Sequence, residues 1–234
     1  MKKRTRINKK KTQYFIMVIL ASSVASVLII SIFIGIIRFL RPSAEEKRNA
    51  ALDFAAIEIA KPDISEMYLT VNPNSRPQIA LKQVKGIVIH YTANPGTDAK
   101  ANRNYFESRK DCADASSNKV SSHYIIGLDG TIIQCIPDNE IAYASNNRNK
   151  DTISIECCHP DNTGKFTENT YQSLVHLTAY LCDKYEIYSE NVIRHYDVTK
   201  KMCPKYYVKH PDEWEVFKED VIDYLESGKK DTIK

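Results

Sequence analysis

Hydrophobic and polar positions divide the 234-residue chain into three textures. Residues 15–37 read FIMVILASSVASVLIISIFIGII, an uncharged run of 23. A helix needs about 20 apolar residues to cross a bilayer core of roughly 30 Å, so this run predicts a transmembrane anchor over residues 14–38. Residues 42–61 are rich in Ala, Glu and Lys, a composition suited to a helix or semi-rigid spacer, and a stalk is expected over 39–63. From Val84 onward short apolar runs alternate with longer amphipathic stretches. That pattern predicts an α/β fold: one domain over 64–227, with a central mixed β-sheet flanked by helices, followed by a polar tail at 228–234.

Within the domain, strands are expected at GIVIH (86–90), HYIIG (123–127), TIIQC (131–135), TISIE (152–156) and NVIRH (191–195). Asp129-Gly130 sits between the second and third runs and reads as a hairpin turn. Helices are expected over about 98–108, over Glu168 to Tyr185, and after Asp212 as an N-cap. Tyr171, Leu174, Val175, Thr178, Leu181 and Cys182 fall on one face of the second helix. Trp214, Phe217, Val221 and Leu225 do so on the third.

Charge sharpens the division. Residues 1–13 hold seven Lys or Arg and no acid, and basic residues flanking a span stay on the cytoplasmic side. The expectation is a single-pass membrane protein with a cytoplasmic N-terminal tail and its domain outside. A cleaved signal peptide is the alternative, but its apolar core would run to only about 7–15 residues. Residues 1–42 carry nine of the 33 basic side chains and none of the 29 acidic ones. The remainder is therefore net acidic, which argues against nucleic acid as a partner. Cysteines at 112, 135, 157, 158, 182 and 203 show no disulfide-scaffold spacing. Adjacent Cys157 and Cys158, if on a strand, point to opposite faces.

Candidate chemistry gathers at strand ends. His90 closes GIVIH, His195 closes NVIRH, and Cys203 follows eight positions later in HYDVTKKMCP. Two imidazoles and a thiolate form a plausible three-ligand zinc set that leaves a fourth position for water. Each also has an ordinary reading, as a core or loop histidine or a buried thiol.

Four blocks occur in order: IVIHYTANPG (87–96), SSHYIIGLDGTIIQCIP (121–137), DTISIECC (151–158) and RHYDVTKKMCP (194–204). Together they resemble the type 2 N-acetylmuramoyl-L-alanine amidase family, which includes phage lysozyme-amidases and is similar in fold to peptidoglycan-recognition proteins. The match runs from Pro73 to Phe217. The resemblance implies Zn2+ held by His90, His195 and Cys203. It implies Glu156 as the catalytic carboxylate and Lys201 as a catalytic or stabilising cation, with peptidoglycan as the partner. One position departs: phage-type members carry a catalytic Tyr immediately before the His of the second block, and Ser122 stands there. Glu156 is then the expected general base, and His123 is expected to be structural. Asp197 is a candidate to orient a zinc-bound His from behind. Two other readings are a non-catalytic muropeptide-binding module and a cysteine hydrolase using Cys203 with His195.

Overall fold

The computed structural model describes residue 48 and residues 52–112 and 119–228. The chain divides into two units, Met1–Ala50 and Ala51–Lys234, and the second contains the sheet and the helices that pack on it. The transmembrane helix must be withdrawn from the fold: among the described residues no helix is long and apolar enough to cross a membrane. Residues 14–38, where that helix was expected, lie outside the described residues, as does the basic tail. An apolar run long enough to span satisfies a length requirement only, and hydropathy alone does not place a helix in a bilayer.

Six strands make one mixed sheet: β1 (Ile64–Glu66), β2 (Gly86–Tyr91), β3 (Tyr124–Ile126), β4 (Ile132–Gln134), β5 (Thr152–Cys157) and β6 (Val192–Arg194). Their order is β1-β4-β3-β5-β2-β6. Only the β3–β4 pair is antiparallel. It closes through the expected turn, where Gly127 N–H donates to Thr131 O at 2.8 Å and Gly130 takes a φ of 87°. The two longest strands, β2 and β5, lie side by side near the centre and are almost wholly buried, as their unbroken apolar runs require. Gly86 permits β2 to start against β6: a Cβ there would lie 2.7 Å from Asn191 O.

Among the described residues of the domain, five helices pack with the sheet: α1 (Ala99–Ser108), α2 (Glu168–Tyr185), α3 (His195–Thr199), α4 (Lys205–Lys209) and α5 (Pro211–Ser227). The α1 N-terminus is capped by Asp98, whose carboxylate accepts from Ala101 N, and that of α2 by Thr167, which accepts from Thr170 N. Asp212 is not the cap of α5. His210 holds that place, Pro211 occupies the first turn, and Asp212 lies in the first turn, where its charge suits the helix dipole.

Period-two alternation sends side chains to two apolar layers. Ile87, Ile89, Ile153, Ile155 and Cys157 pack with Leu174, Val175 and Leu181 of α2 and with Trp214, Phe217 and Val221 of α5. On the opposite side Ile125, Ile133 and Cys158 pack with Ala99 and Phe106 of α1. Cys157 and Cys158 thus face opposite layers, and the six cysteines are free. Within the segment read as a stalk, Leu52, Ile57 and Ile59 are buried in the α2/α5 layer, and Ile59 N–H donates to Asp183 Oδ2 at 2.9 Å.

Candidate metal centre and catalytic carboxylate

The parallel pairing of β2 with β5 sets His90 directly opposite Glu156. Paired residues of a ladder project to the same face. Both therefore leave the sheet on the side away from α2 and α5, at the carboxyl ends of the two central strands. In parallel α/β sheets such strand ends are where ligand clefts form.

His195 comes from the neighbouring edge. It does not close a strand as expected: β6 ends at Arg194, and His195 is the first residue of α3. The chain then turns back through Lys200, whose φ is 63°, and Tyr196 N–H donates to Cys203 O at 2.8 Å. This closed loop brings Cys203 to the two histidines across a gap of eight residues. The donor atoms of His90, His195 and Cys203 all lie within 4.8 Å of one another, and all three residues are buried. Cys203 Sγ is 3.8 Å from His90 Nδ1.

Hydrogen bonds on the far side of each ring engage Nε2 and leave Nδ1 facing inward. His195 Nε2 lies 3.1 Å from Asn146 Oδ1, a carbonyl-type oxygen that only accepts, so Nε2 carries the proton and Nδ1 keeps its lone pair. That Nδ1 is buried and has no hydrogen-bond partner among the described residues. His90 Nε2 lies 3.1 Å from Ser145 Oγ, leaving its Nδ1 toward Cys203. Ser145 and Asn146 sit in a tight turn pinned by Asn149, whose Oδ1 accepts from Ala144 N and Ser145 N. Sequence reasoning passed over both. The signal was the polar run Ser145–Asn149, which is turn chemistry and carries no metal-ligand spacing. Asp197, considered for this orienting task, instead holds Arg194 through contacts of 2.9 and 3.0 Å.

The electrostatics favour neutral imidazoles. Burial pushes His90 well below its ordinary pKa, helped by His195 and Lys201, and pushes His195 down to about 4. Both keep free lone pairs at neutral pH, as metal ligation demands. Burial raises the Cys203 thiol to about 12. A thiolate nucleophile needs the opposite shift, so the cysteine-hydrolase reading loses support, whereas a bound dication deprotonates a coordinating thiol outright.

Glu156 Oε1 is 3.9 Å from His90 Nδ1, and Oε2 is buried without a partner. Burial lifts the carboxyl to about 8, with Lys201 pulling the other way. Lys201 is exposed, and its charge is felt by His90, His195, Glu156 and Cys203 alike. Adjacent Lys200 lies over the Tyr196 ring at 5.1 Å. Ser122 is fully buried and donates to Ser154 O at 2.9 Å, so the position of the phage-type tyrosine has become part of the core. His123 is structural as expected: its ring nitrogens meet Ser154 Oγ at 3.0 Å and Glu140 O at 2.9 Å.

Residues 80–206, which span the histidines, the carboxylate and the cysteine, match the family described as N-acetylmuramoyl-L-alanine amidase. The chain belongs to that family. Among curated amidases, N-acetylmuramoyl-L-alanine amidase CwlL of Bacillus licheniformis is 34% identical over 170 residues, covering 68% of this chain and 46% of CwlL. BlyA of Bacillus subtilis, also an N-acetylmuramoyl-L-alanine amidase, is 31% identical over 175 residues, covering 66% of this chain and 45% of BlyA. The chain thus spans about half the length of the curated amidases it matches. The solved structure of PlyL superposes with a TM-score of 0.58 at 25% identity, covering 68% of this chain and 97% of PlyL. The family match therefore lies within the second unit and includes His90 and Glu156 at the central strand ends together with His195 and Cys203.

Proposed function

We propose that this domain is a zinc-dependent N-acetylmuramoyl-L-alanine amidase that hydrolyses the amide bond joining N-acetylmuramic acid to L-alanine in peptidoglycan. The convergence of His90 Nδ1, His195 Nδ1 and Cys203 Sγ, with the Glu156 carboxylate beside them, carries this reading. Zinc bonds to nitrogen at about 2.0–2.1 Å and to thiolate sulfur at about 2.3 Å. Tetrahedral donors at such lengths lie roughly 3.3–3.8 Å apart. The 3.8 Å between Cys203 Sγ and His90 Nδ1 fits that spacing, and the unpartnered His195 Nδ1 supplies the third donor.

Zinc in this position supplies Lewis acidity, polarising a carbonyl and lowering the pKa of water toward about 7. The remaining steps belong to side chains. Glu156 in its carboxylate form, which the charges of a bound dication and of Lys201 would favour, accepts the proton of the attacking water and returns it to the departing amine. An amine that leaves unprotonated is a very poor leaving group, so both halves of this transfer count. The Lys201 ammonium stabilises negative charge growing on the former carbonyl oxygen. Asn146, whose Oδ1 only accepts, holds His195 in the ligating tautomer, and Ser145 positions the His90 ring. Peptidoglycan lies outside the cytoplasm, and this reading puts the site of action there.

The test incubates the full chain with purified peptidoglycan, with and without a zinc chelator, and measures newly freed L-alanine amino groups. Release that vanishes with chelator and returns with zinc supports the amidase. A chain that pellets with the wall yet releases nothing is a binding module.

A further inference from the structure

Two residues past His90, one buried polar atom takes no part in the hydrolysis. Thr92 Oγ1 is buried and has no hydrogen-bond partner among the described residues. Burying a hydroxyl without a partner is destabilising, so a chain that keeps one there needs a reason for it.

Ladder geometry fixes the face on which that hydroxyl lies. Ile87 and Ile89 of β2 belong to the α2/α5 layer, and Tyr91 packs against the same layer. Thr92 N–H donates to Cys157 O at 3.0 Å, so the pairing with β5 runs one residue past the end of β2 and the alternation persists. Thr92 therefore leaves the sheet on the face of His90 and Glu156. Beyond it the chain turns away at once: Ala93 takes a φ of 53°, and Gly96 N–H donates to His159 O at 2.9 Å. A non-glycine residue in that left-handed region is strained, and strain of this kind gathers at functional sites.

Few groups on this face are open to the hydroxyl. Opposite Thr92 in the extended register stands Cys158, whose Sγ already accepts from Asn102 Nδ2 at 3.4 Å. His90 is engaged by Ser145 through Nε2 and approaches Cys203 through Nδ1. The diagonal neighbour across the ladder is Glu156, whose Oε2 is likewise buried and unpartnered. Diagonal neighbours on adjacent strands lie about 7–8 Å apart, a span that a glutamate side chain covers. A carboxylate oxygen only accepts, and a threonine hydroxyl can donate. Two complementary atoms, both buried and both unpaired, thus share one face beside the first ligand.

We propose that Thr92 is the positioning residue for the Glu156 carboxylate, a reading that rests on the amidase function. Its hydroxyl donates to Oε2, directly or through one shared water, and stops the carboxylate from rotating about its last bond. Oε1, which lies 3.9 Å from His90 Nδ1, is then held toward the metal trio, where the attacking water gives up its proton. Thr92 touches neither substrate nor metal. It keeps the base aimed, and a misplacement of about 1 Å can cost roughly a hundredfold in rate.

The experiment uses the full chain loaded with zinc, alongside T92V, T92S, E156Q and T92V/E156Q, with a soluble muramoyl-peptide as substrate. Valine keeps the branched shape that suits a strand and removes only the unpaired hydroxyl, so the melting temperature of T92V should hold or rise. Its kcat should fall about ten- to a hundredfold, with KM and zinc content unchanged. T92S keeps the hydroxyl and should regain most of the rate. In the E156Q background T92V should cost no further rate, because the base it positions is gone. A crystal structure of the zinc-loaded chain should show Thr92 Oγ1 bonded to Glu156 Oε2 or to a water held by both. An unchanged kcat in T92V, a loss carried by KM or by released zinc, or an equal further loss in E156Q overturns the proposal. A parent chain that binds zinc yet hydrolyses nothing refutes the amidase reading instead, and the crystal structure then decides the pairing of Thr92 with Glu156 by itself.

Discussion

Two partly buried carboxyls, Glu156 and Asp138, stand in opposite conditions. Asp138 lies toward the β1 edge of the sheet and is surrounded by donors: Tyr124 Oη at 2.6 Å, Lys184 Nζ at 2.9 Å, Tyr185 Oη at 2.8 Å and Gln134 Nε2 at 3.1 Å. Burial would raise its pKa, but these hydrogen bonds and the Lys184 charge outweigh burial and hold it below the usual carboxylate value. Glu156 lies at the end of a central strand with one oxygen unpartnered, and burial lifts it to about 8. A carboxyl whose every lone pair is satisfied contributes stability. One left short of donors and poised near neutrality is available to move protons.

Substitutions put the contrast between these carboxyls under strain, and the metal ligand beside Glu156 gives the largest effect. Removing that ligand with H90A should abolish both zinc binding and amide hydrolysis, measured as metal content after dialysis and as freed amino groups. Retained activity would dissolve the metal centre altogether. Next, E156Q should lower kcat about 10²- to 10⁴-fold while zinc remains bound. Its melting temperature should hold or rise, because a neutral amide removes a carboxyl that burial disfavours as an anion. A large loss of stability in E156Q would make the two carboxyls alike.

A smaller effect is expected from N146A, which removes the acceptor that fixes the His195 tautomer. Zinc affinity should weaken about 10- to 100-fold by competition titration, with folding preserved. The smallest activity effect belongs to D138N. Hydrolysis should be unchanged, while stability falls by about 1–3 kcal/mol in chemical denaturation at neutral pH. The sign of its acid dependence follows from the depressed folded value. Asp138 binds protons more weakly in the folded chain than in the unfolded one. Its stabilisation is complete above the ordinary carboxylate pKa of 3.8 and is lost as pH falls below it. D138N should therefore flatten part of the acid limb of the melting profile and leave the profile above about pH 5 parallel to that of the parent.

Much of the fold was legible because its period signals are strong. β2 and β5 are apolar runs that appear where expected, extended by one residue each, and α2 has the expected bounds. Trp214, Phe217, Val221 and Leu225 are buried as their helical spacing requires. β1 was missed, since Ile-Ser-Glu has neither length nor alternation to mark a strand, and it joins the sheet only by pairing with β4. His195 was placed at the end of a strand because apolar Val192 and Ile193 precede it closely. Arg194 N–H and its guanidinium both donate to the Asp197 carboxylate there, and the helix starts one residue early.

Glu156 and Lys201 were reached only through the resemblance to the amidase family, while local pattern was enough to establish the types of the central elements, the α/β class, the alternation that divides Cys157 from Cys158, and the presence of a ligand-competent His, His and Cys. These follow from period and residue chemistry, which need no knowledge of what lies across the fold. Only the folded chain shows that β2 pairs with β5 in the register setting His90 opposite Glu156, and that the turn at Ser145 and Asn146 engages Nε2 of both imidazoles. The same holds for the two partly buried carboxyls, one satisfied and the other not. Register, tautomer and pKa depend on partners distant along the chain, and no local pattern records which partner arrives.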